Sequence, residues 1–123
     1  MKKNQKKMKK YKLGKDQKSG QEHARIWLQN KRLSEVGFTP GSHYATEWCK
    51  QRYYKARRLG PPLLKLWSLN DDDITAEARK VTDKKGTSVI DLTGWEIKQF
   101  FEGYTHYTVR YEGNCLTVRG ANE

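Results

Sequence analysis

The stretch Arg25–Tyr44, RIWLQNKRLSEVGFTPGSHY, decides the fold because Ser88–Tyr107, SVIDLTGWEIKQFFEGYTHY, follows the same plan. Each stretch opens with a short apolar strand and continues into an amphipathic helical turn. Each then reaches a glycine and a His-Tyr pair that begins a second strand. The copies align when one residue is dropped from the second. A unit that cannot bury its apolar face alone can bury it against a copy of itself, so the repeat predicts one domain built from two similar halves.

The first copy is expected to contain strands and one short helix. The expected elements are a strand over roughly residues 24–29, a short helix over residues 30–37 and a strand over residues 43–49. A third strand is expected over Arg52–Lys55. The apolar run Leu63–Leu69 suits a strand, a buried turn or even a helix, and its place stays open. The Pro-Gly pair that ends at Gly41 favours a type II turn with this glycine at positive φ.

The second copy has the clearer pattern. A hairpin turn is expected over Asp83–Gly86, followed by a strand over Thr87–Leu92. Thr93 is expected to cap a helix over Gly94–Phe101, which has the acid of a capping box near its start. Alternating apolar and polar residues on both sides of the turn Glu112–Asn114 predict two further strands.

Charge is unevenly distributed along the 123 residues. Residues 1–20 hold nine lysines and one acid, residues 21–68 hold nine basic and three acidic residues, and residues 69–123 hold seven basic and ten acidic residues. A lysine block with few apolar residues cannot offset its chain entropy by burial, so residues 1–20 are expected to be a disordered tail. The expected organisation is this tail, a first unit over residues 21–68, a connector over residues 69–86 and a second unit over residues 87–123.

The net charge of +11 favours a polyanionic partner. A lysine arm can gather phosphates through counterion release without recognising a base sequence. A solubilising tail is the plain alternative, and anionic lipid is a third partner that no long apolar run supports. The lysines are not followed by the apolar segment of a signal peptide, and no stretch could span a bilayer. A cytoplasmic protein without a membrane partner is therefore expected.

The sequence predicts no cofactor, no metal site and no catalytic constellation. Cys49 and Cys115 lack a CxxC partner and are expected to be buried or half-buried thiols. The three consecutive acids Asp71–Asp73 suit a solvated loop better than a Mg²⁺ site. His43 and His106 lie at equivalent positions of the repeat, which indicates a role at the start of a strand rather than acid-base catalysis. The pattern leans against an enzyme.

The run from Arg25 to Tyr44 resembles the SymE family. The similarity rests on Leu28, Leu33, Gly37, Phe38, Thr39 and Gly41. SymE proteins are small bacterial toxins related to the AbrB/MazE superfamily, whose swapped-hairpin β-barrels bind DNA. The stretch Thr87–Arg119 is similar in outline only. The resemblance implies a mainly β fold with short helices, arranged as a tandem AbrB-like swapped-hairpin β-barrel that forms a pseudo-dimer in one chain.

The resemblance also implies that basic side chains at loops and strand ends contact phosphates. These candidates are Arg25, Lys31 and Arg32 beside the first strand-to-helix turn, and Arg52, Lys55, Arg57 and Arg58 in a second basic run. The lysine arm, which is not part of the family pattern, adds the candidates Lys9, Lys10 and Lys12. Tyr53 in the second run could stack on an unpaired base, or it could fill the core of a small barrel. This run departs from the family, which has a hydrophobic hairpin arm there.

The leading hypothesis is a small nucleic-acid-binding protein. It would capture the backbone of DNA or RNA with its lysine arm and with the basic face of the first unit, as a toxin–antitoxin or phage-encoded component. It would be a monomer with an internal pseudo-dimer, or a homodimer. Three alternatives stay open: an RNA-cleaving toxin, a transcriptional regulator, and a phage or plasmid effector that binds a host protein through Leu63–Leu69.

Overall fold

The computed structural model describes residues 10–18, 21–49, 53–54, 57–58 and 62–122. These residues form a mainly β protein with two short helices. The strands are β1 (Lys10–Lys12), β2 (Gly14–Lys18), β3 (Gln21–Gln29), β4 (His43–Cys49), β5 (Tyr53–Tyr54), β6 (Arg57–Arg58), β7 (Leu63–Leu69), β8 (Arg79–Lys80), β9 (Thr82–Lys84), β10 (Thr87–Thr93), β11 (His106–Glu112) and β12 (Cys115–Ala121). The helices are α1 (Arg32–Glu35) and α2 (Trp95–Phe100), and Asp71–Asp73 form a 3₁₀ turn.

Two sheets enclose the core. The larger has the strand order β1-β11-β12-β7-β4-β8 and curls into a half barrel, and the smaller has the order β2-β3-β10-β9. The chain passes between the sheets at Leu13, which separates β1 from β2, and at Val81, which separates β8 from β9. Val81 is buried and Leu13 packs on the core, so both crossing points contribute to the shared interior. The bulkiest fully buried side chains are Tyr44, Tyr107, Phe38 and Phe101, followed by Ile26, Leu28, Leu33, Leu64, Leu66, Ile90, Leu92 and Ile97.

The strand registers relate the two halves by an approximate twofold axis. In the smaller sheet Trp27 of β3 lies opposite Asp91 of β10, and the flanking pairs are arranged symmetrically about these two residues. In the larger sheet Lys65 of β7 lies opposite Thr117 of β12, and the pairs on either side are again symmetric. The order strand, helix, strand, strand thus occurs twice, as the repeat in the sequence predicts.

Each half supplies an edge strand to the other half. β1 pairs with β11, and β8 pairs with β4, at the two edges of the larger sheet. The amide of Leu13 donates to the carbonyl of Thr105 at 3.0 Å, and the amide of Val81 donates to the carbonyl of Ser42 at 2.8 Å. Ser42 and Thr105 each precede the His-Tyr pair of their own half, so the two contacts are equivalent. The halves interlock through these exchanged edges.

Residues 10–18 form strands, which corrects the prediction of a disordered tail for this part of the chain. The physical reason lies in two apolar side chains among the lysines. The ring of Tyr11 stacks on that of Tyr107 with centroids 5.4 Å apart, and Leu13 packs on the core. Lys10 and Lys12 stay exposed on an edge strand, where charge is well tolerated. The rest of the predicted tail lies outside the described residues.

The return strand of the first half is β7 rather than the predicted Arg52–Lys55. β4 pairs with β7 along its whole length, as β11 pairs with β12 in the second half. Between them, β5 and β6 pair with each other as a separate two-stranded ribbon. Leu64 and Leu66 of β7 are fully buried. Leu63–Leu69 therefore form a strand, a choice that the sequence leaves open. This strand supplies the leucine side chains that the basic run Arg52–Lys55 lacks.

The predicted turns are confirmed, whereas the predicted helix cap is wrong. Gly41 has a φ of 84°, and the amide of Gly86 donates to Oδ1 of Asp83 at 2.8 Å in the hairpin turn. Helix α2 begins after Gly94 and has no side-chain cap. Thr93 stays in β10, where it pairs with β3, so its hydroxyl does not cap the helix.

Candidate functional site

The outer face of the larger sheet is the candidate site. Along β7, β11 and β12, alternate side chains such as Leu64, Val109 and Val118 are buried in the core. The residues between them point outward because successive side chains of a strand alternate between the two faces. The outward positions include several cations, whereas most inward positions are apolar.

A depression of about 290 Å³ lies on this outer face. Its lining residues are Leu63, Lys65, Thr108, Arg110, Glu112, Thr117 and Arg119. Lys65 belongs to the first half of the chain, whereas Arg110 and Arg119 belong to the second. Three neighbouring strands thus bring cations from both halves to one place.

The depression has a positive charge balance. Nε of Arg110 lies 3.1 Å from Oε1 of Glu112, and both side chains are largely exposed. An exposed pair of this kind contributes little net stability, so Arg110 can exchange its partner for another anion at low cost. Among the described acidic residues, none forms an ion pair with Lys65 or Arg119. Glu47 lies opposite Lys65 on β4, and its Oε1 accepts a hydrogen bond from Trp67. Lys65 and Arg119 can each offer charge-assisted hydrogen bonds to an anion.

One row of cross-strand neighbours links the depression to two basic segments. The row consists of Lys10, Thr108, Arg119, Leu63 and Cys49, on β1, β11, β12, β7 and β4. Cross-strand neighbours present their side chains on the same face of a sheet. Residues 1–9, which hold five lysines, join the sheet at one end of this row. Residues 50–61, which hold five lysines and arginines, leave it at the other end.

Trp67 lies on the outer face beside the depression. Its side chain is 41% exposed, and its Nε1 donates to Oε1 of Glu47 at 2.9 Å. Nζ of Lys65 lies 5.9 Å from the centre of the indole ring, within range of a cation–π contact. Under the twofold axis Trp67 corresponds to Arg119, because β7 and β12 occupy equivalent positions in their hairpins. The two halves therefore place an aromatic side chain and a cation at matching points.

Arg25, predicted to contact phosphate, lies on the smaller sheet and is not brought to the depression. Its Nε and Nη2 atoms lie 2.8 and 2.9 Å from the two carboxylate oxygens of Asp91. Its guanidinium carbon lies 4.6 Å from the ring centre of Trp27. These contacts commit the guanidinium group to the protein itself.

Lys31 lies between β3 and α1, Arg32 is the first residue of α1, and neither side chain lines the depression. The guanidinium carbon of Arg32 lies 4.1 Å from the ring centre of Tyr111. Nδ2 of Asn30 donates to the hydroxyl of Tyr111 at 2.9 Å, and Oδ1 of Asn30 accepts from the amide of Leu33 at 3.2 Å. Burial raises the pKa of this tyrosine hydroxyl. The local contacts explain why a polar Asn-Lys-Arg run can start a helix there.

Lys10 and Lys12 are the predicted contacts that lie closest to the outer face. They pair with Thr108 and His106 of β11, and Nζ of Lys10 donates to the carbonyl of Asn122 at 3.0 Å. Tyr53, Arg57 and Arg58 lie in the ribbon of β5 and β6. Lys9, Arg52 and Lys55 lie outside the described residues.

Sequence reasoning missed Lys65, Arg110 and Arg119. It assigned the contact face to the first unit and treated the second as a scaffold, whereas the depression takes two of its three cations from the second half. A signal was present, since Arg110 and Arg119 occupy the polar positions of two strands with clear alternation. The sequence alone did not indicate that β11 and β12 lie beside β7. That arrangement depends on the pairing of β7 with β12 across the twofold axis.

His43 and His106 occupy equivalent places in the larger sheet. His43 lies opposite Lys80 of β8, and His106 lies opposite Lys12 of β1. Nδ1 of His106 lies 2.7 Å from the hydroxyl of Thr105. In the described part of the chain, no three His, Cys, Asp or Glu side chains are grouped so that they could hold a metal ion.

Burial perturbs several protonation equilibria. Burial raises the pKa of Tyr44 and of Tyr107 to about 12, and it raises the pKa of the Cys115 thiol above its ordinary value. Cys49 is half-buried. Burial thus favours the neutral forms of Tyr44, Tyr107 and Cys115.

Neither of the helices in the described residues is long and apolar enough to cross a lipid bilayer. Comparison of the chain with family models, with curated proteins and with solved structures gave no match.

Proposed function

We propose that the protein binds the backbone of nucleic acid through the outer face of the larger sheet. Lys65, Arg110 and Arg119 would contact phosphates in the depression, with Lys10 and Lys12 at the edge of the sheet. The observation that supports this most directly is the convergence of three cations on one depression, two of which form no ion pair with a described acidic residue. Anionic oxygens are the natural ligands of such a group.

The two basic segments add to this argument. Residues 1–9 and residues 50–61 contain no acid, and they join the sheet at opposite ends of the row that crosses the depression. Together the two segments add ten lysines and arginines and no acid to the charge of the chain. Such a distribution attracts a polyanion and raises its association rate, with a strong dependence on ionic strength.

The finer fold that we propose is the tandem AbrB-like swapped-hairpin barrel implied by the resemblance to the SymE family. The exchange of β1 and β8 between the halves supports it, because a barrel of this kind is built from units that interleave. In this proposal one chain contains both units, and it functions in the cytoplasm as a monomer.

A salt titration tests the proposed function. Fluorescence anisotropy would measure the dissociation constants of a labelled duplex and of a labelled single strand between 50 and 300 mM NaCl. Removing two phosphate contacts with the double variant K65Q/R119Q is expected to flatten the slope of log K against log[salt] by about 1.4 to 1.8. The control K84Q/K98Q removes the same charge from residues that do not line the depression, and a smaller change in slope is expected.

Two outcomes would contradict the proposal. One is binding that hardly changes with salt for the unmodified protein. The other is an equal loss of affinity in the two double variants, which would mean that only the total charge matters. Circular dichroism of each variant would establish that the sheet is intact.

A second candidate function is RNA cleavage, which one observation favours. His43 and His106 each lie opposite a lysine on the outer face, and imidazole beside an ammonium group can act as a general acid or base. Incubating the pure protein with labelled RNA tests this function directly. Cleavage that persists unchanged in the variant H43A/H106A would rule out these two residues.

A further inference from the structure

We propose that the ligand of the outer face is single-stranded nucleic acid, with one base stacked on Trp67. The inference rests on the proposed function and deepens it. It begins with the difference between the two symmetric halves of the face. The twofold axis passes between Lys65 and Thr117. Across this axis Arg110 corresponds to Glu47, and Arg119 corresponds to Trp67.

The chemistry of the two sides suits the two parts of a nucleotide. The side with Arg110 and Arg119 offers guanidinium groups, which bind phosphate oxygens. The side with Trp67 offers a large exposed ring, flanked by Ala45 and Cys115 on the neighbouring strands. Bases stack on aromatic side chains whatever their identity, because every base has a flat π face. A strand crossing the axis would place its backbone on one side and a base on the other.

The ring of Trp67 is held in place. Its Nε1 atom donates to Glu47 at 2.9 Å, which fixes the edge of the indole and leaves 41% of the side chain exposed. Lys65 lies two residues earlier on the same strand, so its ammonium group reaches the same face. An exposed tryptophan with a fixed orientation loses little further conformational entropy when a base stacks on it.

The architecture of the sheet disfavours duplex as the ligand of Trp67. β7 has three strands on one side and two on the other. Neighbouring strands lie about 4.8 Å apart, so a six-stranded sheet is roughly 24 Å wide. The major groove of B-DNA is about 12 Å wide and admits a helix or a two-stranded ribbon. For a residue at the centre of the sheet, the exposed bases of a single strand are therefore easier to reach than bases that are paired inside a duplex.

Anisotropy titrations at a fixed 100 mM NaCl test this inference. The probes are labelled 12-mers of dT and of U, and a 12-base-pair DNA duplex. Each single strand is expected to bind at least tenfold more tightly than the duplex. The loss of one base stack in W67A is expected to weaken binding of the single strands by about 5- to 150-fold and to leave duplex binding unchanged.

Two variants control for other effects of this change. Trp95 lies on α2 and is 58% exposed, so W95A removes a more exposed tryptophan from another surface and should leave every affinity unchanged. W67F keeps an aromatic ring and should retain most of the single-strand affinity. The salt dependence of W67A should match that of the unmodified protein, because no charge is lost.

The outcomes separate the two proposals. If duplex and single strands bind with equal affinity and W67A has no effect, the inference is wrong while the proposed function stands. If neither kind of nucleic acid binds, both are wrong. Binding of poly-glutamate as tight as that of the oligonucleotides would also overturn the inference, because the face would then select an acidic chain without using a base.

Discussion

The guanidinium group of Arg25 forms a two-point ion pair with the carboxylate of Asp91 across the centre of the smaller sheet. Its Nε–Oδ1 and Nη2–Oδ2 distances are 2.8 and 2.9 Å. The two residues belong to different halves of the chain, on β3 and β10. The pair therefore joins the halves close to their twofold axis, on the opposite side of the molecule from the depression.

Breaking this pair is expected to destabilise the protein modestly. Both side chains are about one-third exposed, so water screens the attraction, although the two-point geometry is favourable. The variants R25A and D91A should each lower the free energy of unfolding by about 1 kcal/mol. Urea titrations of both variants and of R25A/D91A form a double-mutant cycle, and strictly additive losses would show that the residues do not interact.

The stack of Tyr11 on Tyr107 is expected to anchor the first edge strand. The two rings are nearly parallel, with an interplanar angle of 18°. Y11A should lower the free energy of unfolding by about 2 kcal/mol, through lost burial and lost ring contact. K12A changes the next residue of the same strand, whose side chain is exposed, and should change the unfolding midpoint little. Equal midpoints for the two variants would contradict the anchoring role.

The second half of the fold could be predicted from the sequence because its signals are local. The strand Thr87–Thr93 and the hairpin of β11 and β12 follow from alternating apolar residues and a tight turn. β4 likewise has the predicted bounds. These elements need no information about distant partners.

The first edge strands and the depression could not be predicted, because they depend on pairing between residues far apart in sequence. A lysine-rich segment forms β1 only because β11, almost a hundred residues later, offers a partner strand and a ring for Tyr11. In the same way, Lys65 and Arg119 meet only through the pairing of β7 with β12. A charge pattern gives the number of cations but not which of them share a face.

Substituting Gly37 is expected to be more costly than substituting Gly41. Both have positive φ, 101° and 84° respectively, a conformation that an alanine adopts at a cost of about 1 kcal/mol. A Cβ at position 41 would meet nothing within 4 Å. A Cβ at position 37 would lie 2.7 Å from Oδ1 of Asn114 and 3.2 Å from Oγ of Ser68.

We expect G41A to lower the free energy of unfolding by about 1 kcal/mol and G37A by about 3 kcal/mol, as measured by urea titration. N114G removes the side chain that obstructs a Cβ at position 37. The double variant G37A/N114G should therefore be less destabilised than the single effects of G37A and N114G added together. A loss in G37A no larger than that in G41A would mean that the neighbours move aside without cost.

The two buried tyrosines predict instability at high pH. Burial raises the pKa of Tyr44 and of Tyr107 to about 12, whereas both titrate near 10 in the unfolded chain. Between these values the unfolded state loses protons that the folded state keeps, so stability falls as the pH rises from about 10 to 12. Below pH 10 the contribution is fully present. Each tyrosine can contribute roughly 2–3 kcal/mol to this loss.

Urea midpoints measured from pH 8 to pH 12 test this expectation, with Y44F as the comparison. Phenylalanine cannot ionise. The free energy of unfolding should therefore fall less with pH in Y44F, by the amount that one tyrosine contributes. Tyr107 is less suitable for this purpose, because its hydroxyl also donates to the carbonyl of Trp27 at 3.2 Å. Identical pH profiles for Y44F and the unmodified protein would contradict the assignment.

Replacing Thr93 with valine is expected to stabilise the protein. Oγ1 of Thr93 is buried and has no hydrogen-bond partner among the described residues. A buried hydroxyl without a partner costs about 1–3 kcal/mol of desolvation, and valine has the same shape and suits a strand. T93V should therefore raise the free energy of unfolding by about 1 kcal/mol.

The matched variant S88A should lower the free energy of unfolding by a similar amount, because Oγ of Ser88 lies 2.9 Å from Oγ of Ser34 in a satisfied hydrogen bond. Thermal and urea unfolding of both variants would provide the measurement. Destabilisation in T93V would mean that the hydroxyl has a partner in solution, such as a water molecule bound near the start of α2.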